Sequence, residues 1–254
     1  GRADDWDTDM SANHTWTGET LYGRVGSHVQ GTEDLNGDGL GELLIATDQK
    51  QVTSGGYETI GRGRVAIIFG TADITAIASL DEPDAAFEGA GAMDGAGTAF
   101  TTGDLNGDGH LEVIIGSPYG DSNRGRVDII QGQAEPISGT YTTDLAQLSL
   151  KGTSGSGLGY ALSTGDLNAD GVGELGIGAP ADDLIYDSAG SVSVFTGSAD
   201  LFSGIPEPAA RLHGEFDDTQ LGSGVHLGGD LNGDGVGDIL VGAIYARRGL
   251  ISKG

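Results

Sequence analysis

Apolar residues fall in short runs of about four to eight, each bounded by glycine-rich or acidic stretches. The clearest runs are ELLIAT (42–47), GRVAIIFG (63–70), EVIIGS (112–117), GRVDIIQG (125–132), ELGIGA (174–179), GSVSVFTG (190–197) and DILVGA (238–243). Their length, β-branched content and flanking turn residues predict strands, several of them alternating, and give no support to amphipathic helices. No run approaches the roughly 18 apolar residues that a membrane-spanning helix needs.

The runs belong to a repeat. DLNGDGLGELLIAT from Asp34, DLNGDGHLEVIIGS from Asp104, DLNADGVGELGIGA from Asp166 and DLNGDGVGDILVGA from Asp230 align without gaps, their starts 70, 62 and 64 residues apart. An apolar–glycine pair opens a short strand before each acidic loop (Val25-Gly26, Ala96-Gly97, Leu158-Gly159, Leu221-Gly222). After it come an apolar strand ending near Gly-Ala-Pro, the strands at 63–70, 125–132 and 190–197, and a last strand at 85–89, 146–152 and 209–214. Four strands per unit of about 65 residues, joined by tight turns, predict an all-β propeller of four-stranded antiparallel blades.

The expected organisation is one propeller domain, or a propeller fragment, over 1–254. Its repeat units lie at about 19–89, 90–152, 153–214 and 215–254. Residues 12–18, including His14–Gly18, match the last strand of a unit and would close the ring. The fourth unit stops where its third strand should begin, so either more blades follow in a longer protein or another chain supplies the missing strand.

Numbered from its first Asp, each loop carries oxygen-bearing side chains at positions 1, 3, 5 and 9 and glycine at 6. The candidate ligands are Asp34, Asn36, Asp38 and Glu42; Asp104, Asn106, Asp108 and Glu112; Asp166, Asn168, Asp170 and Glu174; Asp230, Asn232, Asp234 and Asp238. The glycine permits a turn that aims the position-7 carbonyl inward, at Leu40, His110, Val172 and Val236. His110 would thus bind through its backbone. Hard oxygens in such a loop suit Ca²⁺, about four ions at one per repeat, better than the small octahedral shell of Mg²⁺. Position 12 is Ile45, Ile115, Ile177 or Val241, where an EF-hand needs a bidentate glutamate, so an EF-hand is excluded. Without an ion, the same residues would form Asx turns.

Charge sharpens this picture. Of 38 acidic residues, twelve sit in the loops, and the net charge is −26. That balance argues against nucleic acid and against docking on anionic lipid. There is no cysteine, hence no disulfide framework or thiolate zinc site. The opening GRADDWDTDM lacks the features of a secretory signal. Loops of this kind bind calcium at the millimolar level found outside cells, which points to an extracellular or surface location. The five histidines are scattered and no nucleophile–base pattern stands out, so no enzyme is expected. Asn13-His14-Thr15 is a glycosylation sequon, and Arg62-Gly63-Arg64 and Arg124-Gly125-Arg126 read as turn residues opening a strand.

The repeat resembles the FG-GAP repeat of integrin α-subunit propellers and their bacterial relatives. The resemblance implies calcium between the first two strands of a blade and partner binding on the opposite face. This chain departs from the family pattern in three ways. Val25, Ala96, Leu158 and Leu221 replace the phenylalanine of Phe-Gly, Ala46-Thr47-Asp48 stands for Gly-Ala-Pro, and every visible unit has an acidic loop, where integrins have seven blades and loops in only some. The expected role is an adhesion or ligand-binding module for a protein or glycan. The alternatives are a surface-layer or filament subunit self-associating through its last blade, and the accessory domain of a secreted hydrolase or lyase.

Overall fold

The computed structural model of the chain describes residues 24–47, 50–52, 58–71, 80 and 82–246. The closing strand expected at 12–18, the sequon and the residues after 246 lie outside these.

Blade 1 is built from β1 (Val29–Gly31), β2 (Leu43–Thr47), β5 (Arg64–Ile68) and β6 (Ala85–Glu88), with a small hairpin of β3 (Lys50–Val52) and β4 (Glu58–Ile60) between β2 and β5. Blade 2 consists of β7 (Ala99–Gly103), β8 (Glu112–Ser117), β9 (Arg126–Ile130) and β11 (Leu148–Lys151). β10 (Gly139–Thr142) leaves that blade and pairs in parallel with β6, Gly139 against Ala85, giving blade 1 a fifth strand. Blade 3 holds β12 (Ala161–Gly165), β13 (Glu174–Ala179), β14 (Ser191–Phe195) and β15 (Ala210–His213). The fourth unit shows β16 (Leu221–Leu227) and β17 (Ile239–Ala243).

Within each blade, neighbouring strands are antiparallel in the expected order, with Ile114 facing Ile129 and Ile177 facing Ser193. The protein is a β-propeller of four-stranded blades. The alternation expected of the strands at 63–70, 125–132 and 190–197 is absent, however: β14 is buried at every position and β5 and β9 at all but their first, as fully as the apolar β8 and β13. A blade packs on neighbours through both faces, so both faces are apolar. Three of the apolar–glycine pairs also lie in turns, and only Leu221-Gly222 falls within its strand.

Two devices join consecutive blades. Hydroxyls on the innermost strands form a relay: Thr32 Oγ1 lies 2.8 Å from Thr102 Oγ1, Thr101 Oγ1 3.2 Å from Thr164 Oγ1, and the Leu227 amide donates to Ser163 Oγ at 2.9 Å. The second device is glycine. A Cβ on Gly116 would stand 2.1 Å from the Gly159 carbonyl oxygen, and one on Gly178 2.1 Å from that of Gly222, so backbone meets backbone only because both are glycine.

Arg126 does more than open a strand. Its Nε donates to both oxygens of the fully buried Asp128 at 2.6 and 2.7 Å, and Ser149 Oγ donates to the same carboxylate at 2.6 Å. Blade 2 thus carries a buried, fully hydrogen-bonded ion pair.

Candidate metal centres

Each acidic loop joins the innermost strand of its blade to the second strand. The first Asp anchors it: Asp34 accepts from the amides of Gly37 at 2.6 Å and Gly39 at 2.7 Å, and Asp230 from those of Gly233 and Gly235 at 2.6 and 2.8 Å. The position-3 Asn accepts from the position-5 amide, as Asn106 does from Asp108 at 2.8 Å. The position-5 Asp accepts from the position-7 amide: Asp38 from Leu40, Asp108 from His110, Asp170 from Val172 and Asp234 from Val236, all at 2.8–2.9 Å. These are Asx turns, and they curl the loop with or without an ion.

The glycines at position 6 (Gly39, Gly109, Gly171, Gly235) have φ of +84° to +86°, the left-handed geometry the turn requires. At position 4 three loops also have glycine, while the third has Ala169 at φ +59°.

The acid at position 9 closes the loop. Glu112 Oε2 takes the Leu105 amide at 2.7 Å, while its Oε1 takes Asn106 Nδ2 at 3.2 Å and the Gly132 amide at 3.3 Å. Glu174 likewise accepts from Leu167 N at 2.7 Å and Asn168 Nδ2 at 3.1 Å, and Asp238 from Leu231 N at 2.7 Å and Asn232 Nδ2 at 3.4 Å.

The first loop differs. Glu42 Oε2 accepts from the Leu35 amide, but Asn36 Nδ2 turns to Asp38, and Glu42 Oε1 is buried with no hydrogen-bond partner. The field of the Gly70 amide favours the anion there without closing a hydrogen bond on that oxygen. One oxygen each from Asp34, Asp38 and Glu42 lie within 4.8 Å of one another, the one such convergence of three acids among the described residues. In the other loops the Asn amide draws the closing acid to itself.

Electrostatics follow the geometry. Backbone amides, Gly39 for Asp34 and Gly235 for Asp230, hold these two carboxyls below their ordinary range. Burial pulls Asp108 upward, but donors led by the His110 amide prevail and keep it low. The closing acids go the other way. Burial raises Glu42 and Glu174 and pushes Glu112 up to about 7, and the neighbouring loop aspartates add to the rise.

The structure therefore places the side chains predicted at positions 1, 3, 5 and 9 on one hydrogen-bonded turn in every loop, with Leu40, His110, Val172 and Val236 closing it, but brings three acids within 4.8 Å of one another only in the first loop among the described residues. Sequence reasoning missed the leucine at position 2. Leu105 is buried in a cluster with Leu175, Ile177 and Phe195 of blade 3, and Leu35 and Leu167 likewise pack against the blade that follows, whereas Leu231 is 70% exposed. The first three loops thus set an apolar side chain into the clusters shared between blades, and the signal was present as the unvarying Leu of Asp-Leu-Asn.

With this geometry in view, comparison with known proteins is decisive for the repeat. The model of the FG-GAP repeat matches residues 96–130 and 158–195. The chain carries FG-GAP repeats. It is 28% identical to rat integrin alpha-7 over 210 residues, 80% of this chain and 17% of that protein. It is 28% identical to the phosphatidylinositol-glycan-specific phospholipase D of Dictyostelium discoideum over 244 residues (87% of this chain, 25% of the relative), and 34% identical to the human one over 170 residues (62% and 20%). The chain thus spans a quarter or less of the length of these relatives. No helix among the described residues is long and apolar enough to cross a membrane.

Proposed function

We propose that the chain is a calcium-binding propeller module that works outside the cell, its acidic loops each holding one Ca²⁺ and its opposite face presented to a protein or glycan ligand. The observation that carries this reading is the first loop, where one carboxylate oxygen each of Asp34, Asp38 and Glu42 lie within 4.8 Å of one another and Glu42 keeps a buried oxygen, Oε1, without a hydrogen bond. Leaving a buried acceptor unsatisfied costs about 1–3 kcal/mol, and a hard cation coordinated there removes that cost along with the repulsion among the three acids. Asp34, Asn36, Asp38, the Leu40 carbonyl and Glu42 would supply its oxygens, and the three other loops offer the same set. In this reading calcium stiffens the disc, and no residue of the chain is given a catalytic role.

The test is thermal unfolding of EDTA-stripped protein with calcium added back. Binding to the native state alone contributes RT ln(1 + [Ca²⁺]/Kd) per site, about 2.7 kcal/mol at a hundredfold excess over Kd. The expected result is a midpoint that climbs steeply through the millimolar range. A midpoint indifferent to calcium would contradict the proposal.

Two other readings have an observation each. The similarity to phosphatidylinositol-glycan-specific phospholipase D favours an accessory role beside a secreted hydrolase. The edge strand β17, whose Ile239, Leu240 and Val241 are exposed, favours assembly by strand addition. Light scattering at high protein concentration tests the latter, and a monomer there would rule it out.

A further inference from the structure

A hollow of about 390 Å³ lies at the end of the blades opposite the acidic loops. Its walls come from the segments after β8 (Tyr119, Asn123), before β12 (Tyr160), around the start of β16 (Gln220, Ser223) and after β17 (Ile244). It is thus shared by blades 2, 3 and the fourth unit, and its size falls within the roughly 300–1,000 Å³ of small-molecule sites. In a chain of net charge −26, no charged side chain lines it.

Strain marks the same end of the molecule. Of the eight non-glycine residues with positive φ among the described residues, seven lie in loops here, and the eighth is Ala169. Asp121, Ser122 and Asn123 are left-handed in succession, at φ 49°, 62° and 65°, and Gln220 has φ 53°. The same loops also use glycine at positive φ, Gly155 and Gly157 in the wall of the hollow among them, so the left-handed Asn123 and Gln220 are side chains held there at a conformational cost of about 1 kcal/mol or more each. Asn123 and Gln220, two of these, line the hollow. Gly95 helps to seat the Tyr119 ring, since a Cβ there would lie 2.9 Å from Tyr119 Cδ2. Tyr119 and Tyr160 both line the hollow.

We propose that this hollow is a binding site for a neutral carbohydrate, the pyranose C–H face resting on Tyr119 and Tyr160 and its hydroxyls meeting Asn123, Gln220 and Ser223. The inference rests on the reading of this end as the ligand-presenting face. The lining sets the chemistry. Without a charged group it offers no counterion to a charged ligand. Asn123 and Gln220 each bring side-chain donors and an acceptor, and these side-chain amides make no hydrogen bond among the described residues. Ser223 Oγ already donates to the Gln220 carbonyl at 2.7 Å and so faces a ligand as an acceptor. The matching ligand must both donate and accept, as sugar hydroxyls do. A proline-rich peptide offers mainly carbonyl acceptors and would leave half of these groups unused.

The experiment is an array of neutral gluco-, galacto-, manno- and N-acetylglucosamine glycans, with sialylated and sulfated glycans and a proline-rich peptide as comparators, probed with the calcium-saturated chain. Retained glycans are then titrated by tyrosine fluorescence. Neutral glycans are expected to bind, with affinity at least tenfold weaker in Tyr160→Ala and several-fold weaker in Gln220→Ala, both checked for an unchanged calcium-dependent midpoint. The second variant keeps the test decisive if the first does not fold. No retention of any neutral glycan, retention of the acidic glycans or the peptide alone, or binding indifferent to both substitutions would overturn the inference. A blank array on protein that calcium still stabilises removes this inference and leaves the calcium reading standing; a chain indifferent to calcium removes the latter.

Discussion

The first and second acidic loops carry the same five ligand positions, yet their closing glutamates sit in different surroundings. Glu112 is fully buried, and each of its oxygens is held by amide donors from Leu105, Asn106 and Gly132. Glu42 is buried almost as deeply, but only one of its oxygens has a hydrogen-bond partner, and its carboxylate converges with those of Asp34 and Asp38. The difference traces to which way one side chain turns. Asn106 donates to both Asp108 and Glu112, whereas Asn36 donates to Asp38 alone. A motif that repeats its ligand positions along the chain can thus be satisfied internally in one blade and left with an open valence in another. The first loop should depend most on its ion.

The largest expected effect separates the loops by packing. Leu105→Ala opens a cavity between blades 2 and 3 and should lower stability by about 2–5 kcal/mol, while Leu231→Ala, on the exposed copy, should stay within about 0.5 kcal/mol. Denaturant unfolding at saturating calcium measures both. Equal losses would mean that the leucine does not act as an inter-blade plug.

Next come the closing acids, compared in EDTA. Glu112→Gln sets an NH₂ against the amide donors that now hold the carboxylate, and should destabilise by about 1–3 kcal/mol. Glu42→Gln has no donor to oppose at Oε1 and relieves the repulsion from Asp34 and Asp38, so it should cost nothing or stabilise. In calcium the order reverses, because Glu42→Gln removes a ligand from the loop that lacks internal satisfaction. Thermal midpoints of both variants with and without calcium show whether the comparison holds, and the same ranking in both conditions would break it.

The smallest effect concerns Ala169, the one position-4 residue that is not glycine. Ala169→Gly removes a left-handed alanine and should stabilise by about 0.5–1 kcal/mol, an increment read as a small rise in midpoint with calcium affinity unchanged.

Much of this molecule was legible in the sequence. The acidic loops fixed the period, the apolar runs gave the second and third strands of each blade, and the glycines at position 6 announced the left-handed turns that the structure shows. What escaped has a common cause: it depends on contacts between blades. β10 reads as polar Gly-Thr-Tyr-Thr with no strand signature of its own, because its partner is β6 of the preceding blade. The strands at 63–70, 125–132 and 190–197 were expected to alternate, and β5, β9 and β14 are instead buried at nearly every position, since a stacked blade has no solvent face. The buried Asp128 has no signal in the sequence, because its partners Arg126 and Ser149 meet it only once the strands of blade 2 are paired. The hollow between Tyr119 and Tyr160 joins loops 41 residues apart, which no local pattern reveals.

The central claim, that the acidic loops are calcium sites, is tested most directly by counting ions. Equilibrium dialysis of the EDTA-stripped chain against radiolabelled calcium at millimolar concentration should give about four ions per chain, one for each loop, and about three in Glu42→Gln. A chain that retains no calcium at that concentration would contradict the account, and the four loops would then be Asx turns held by their own amides.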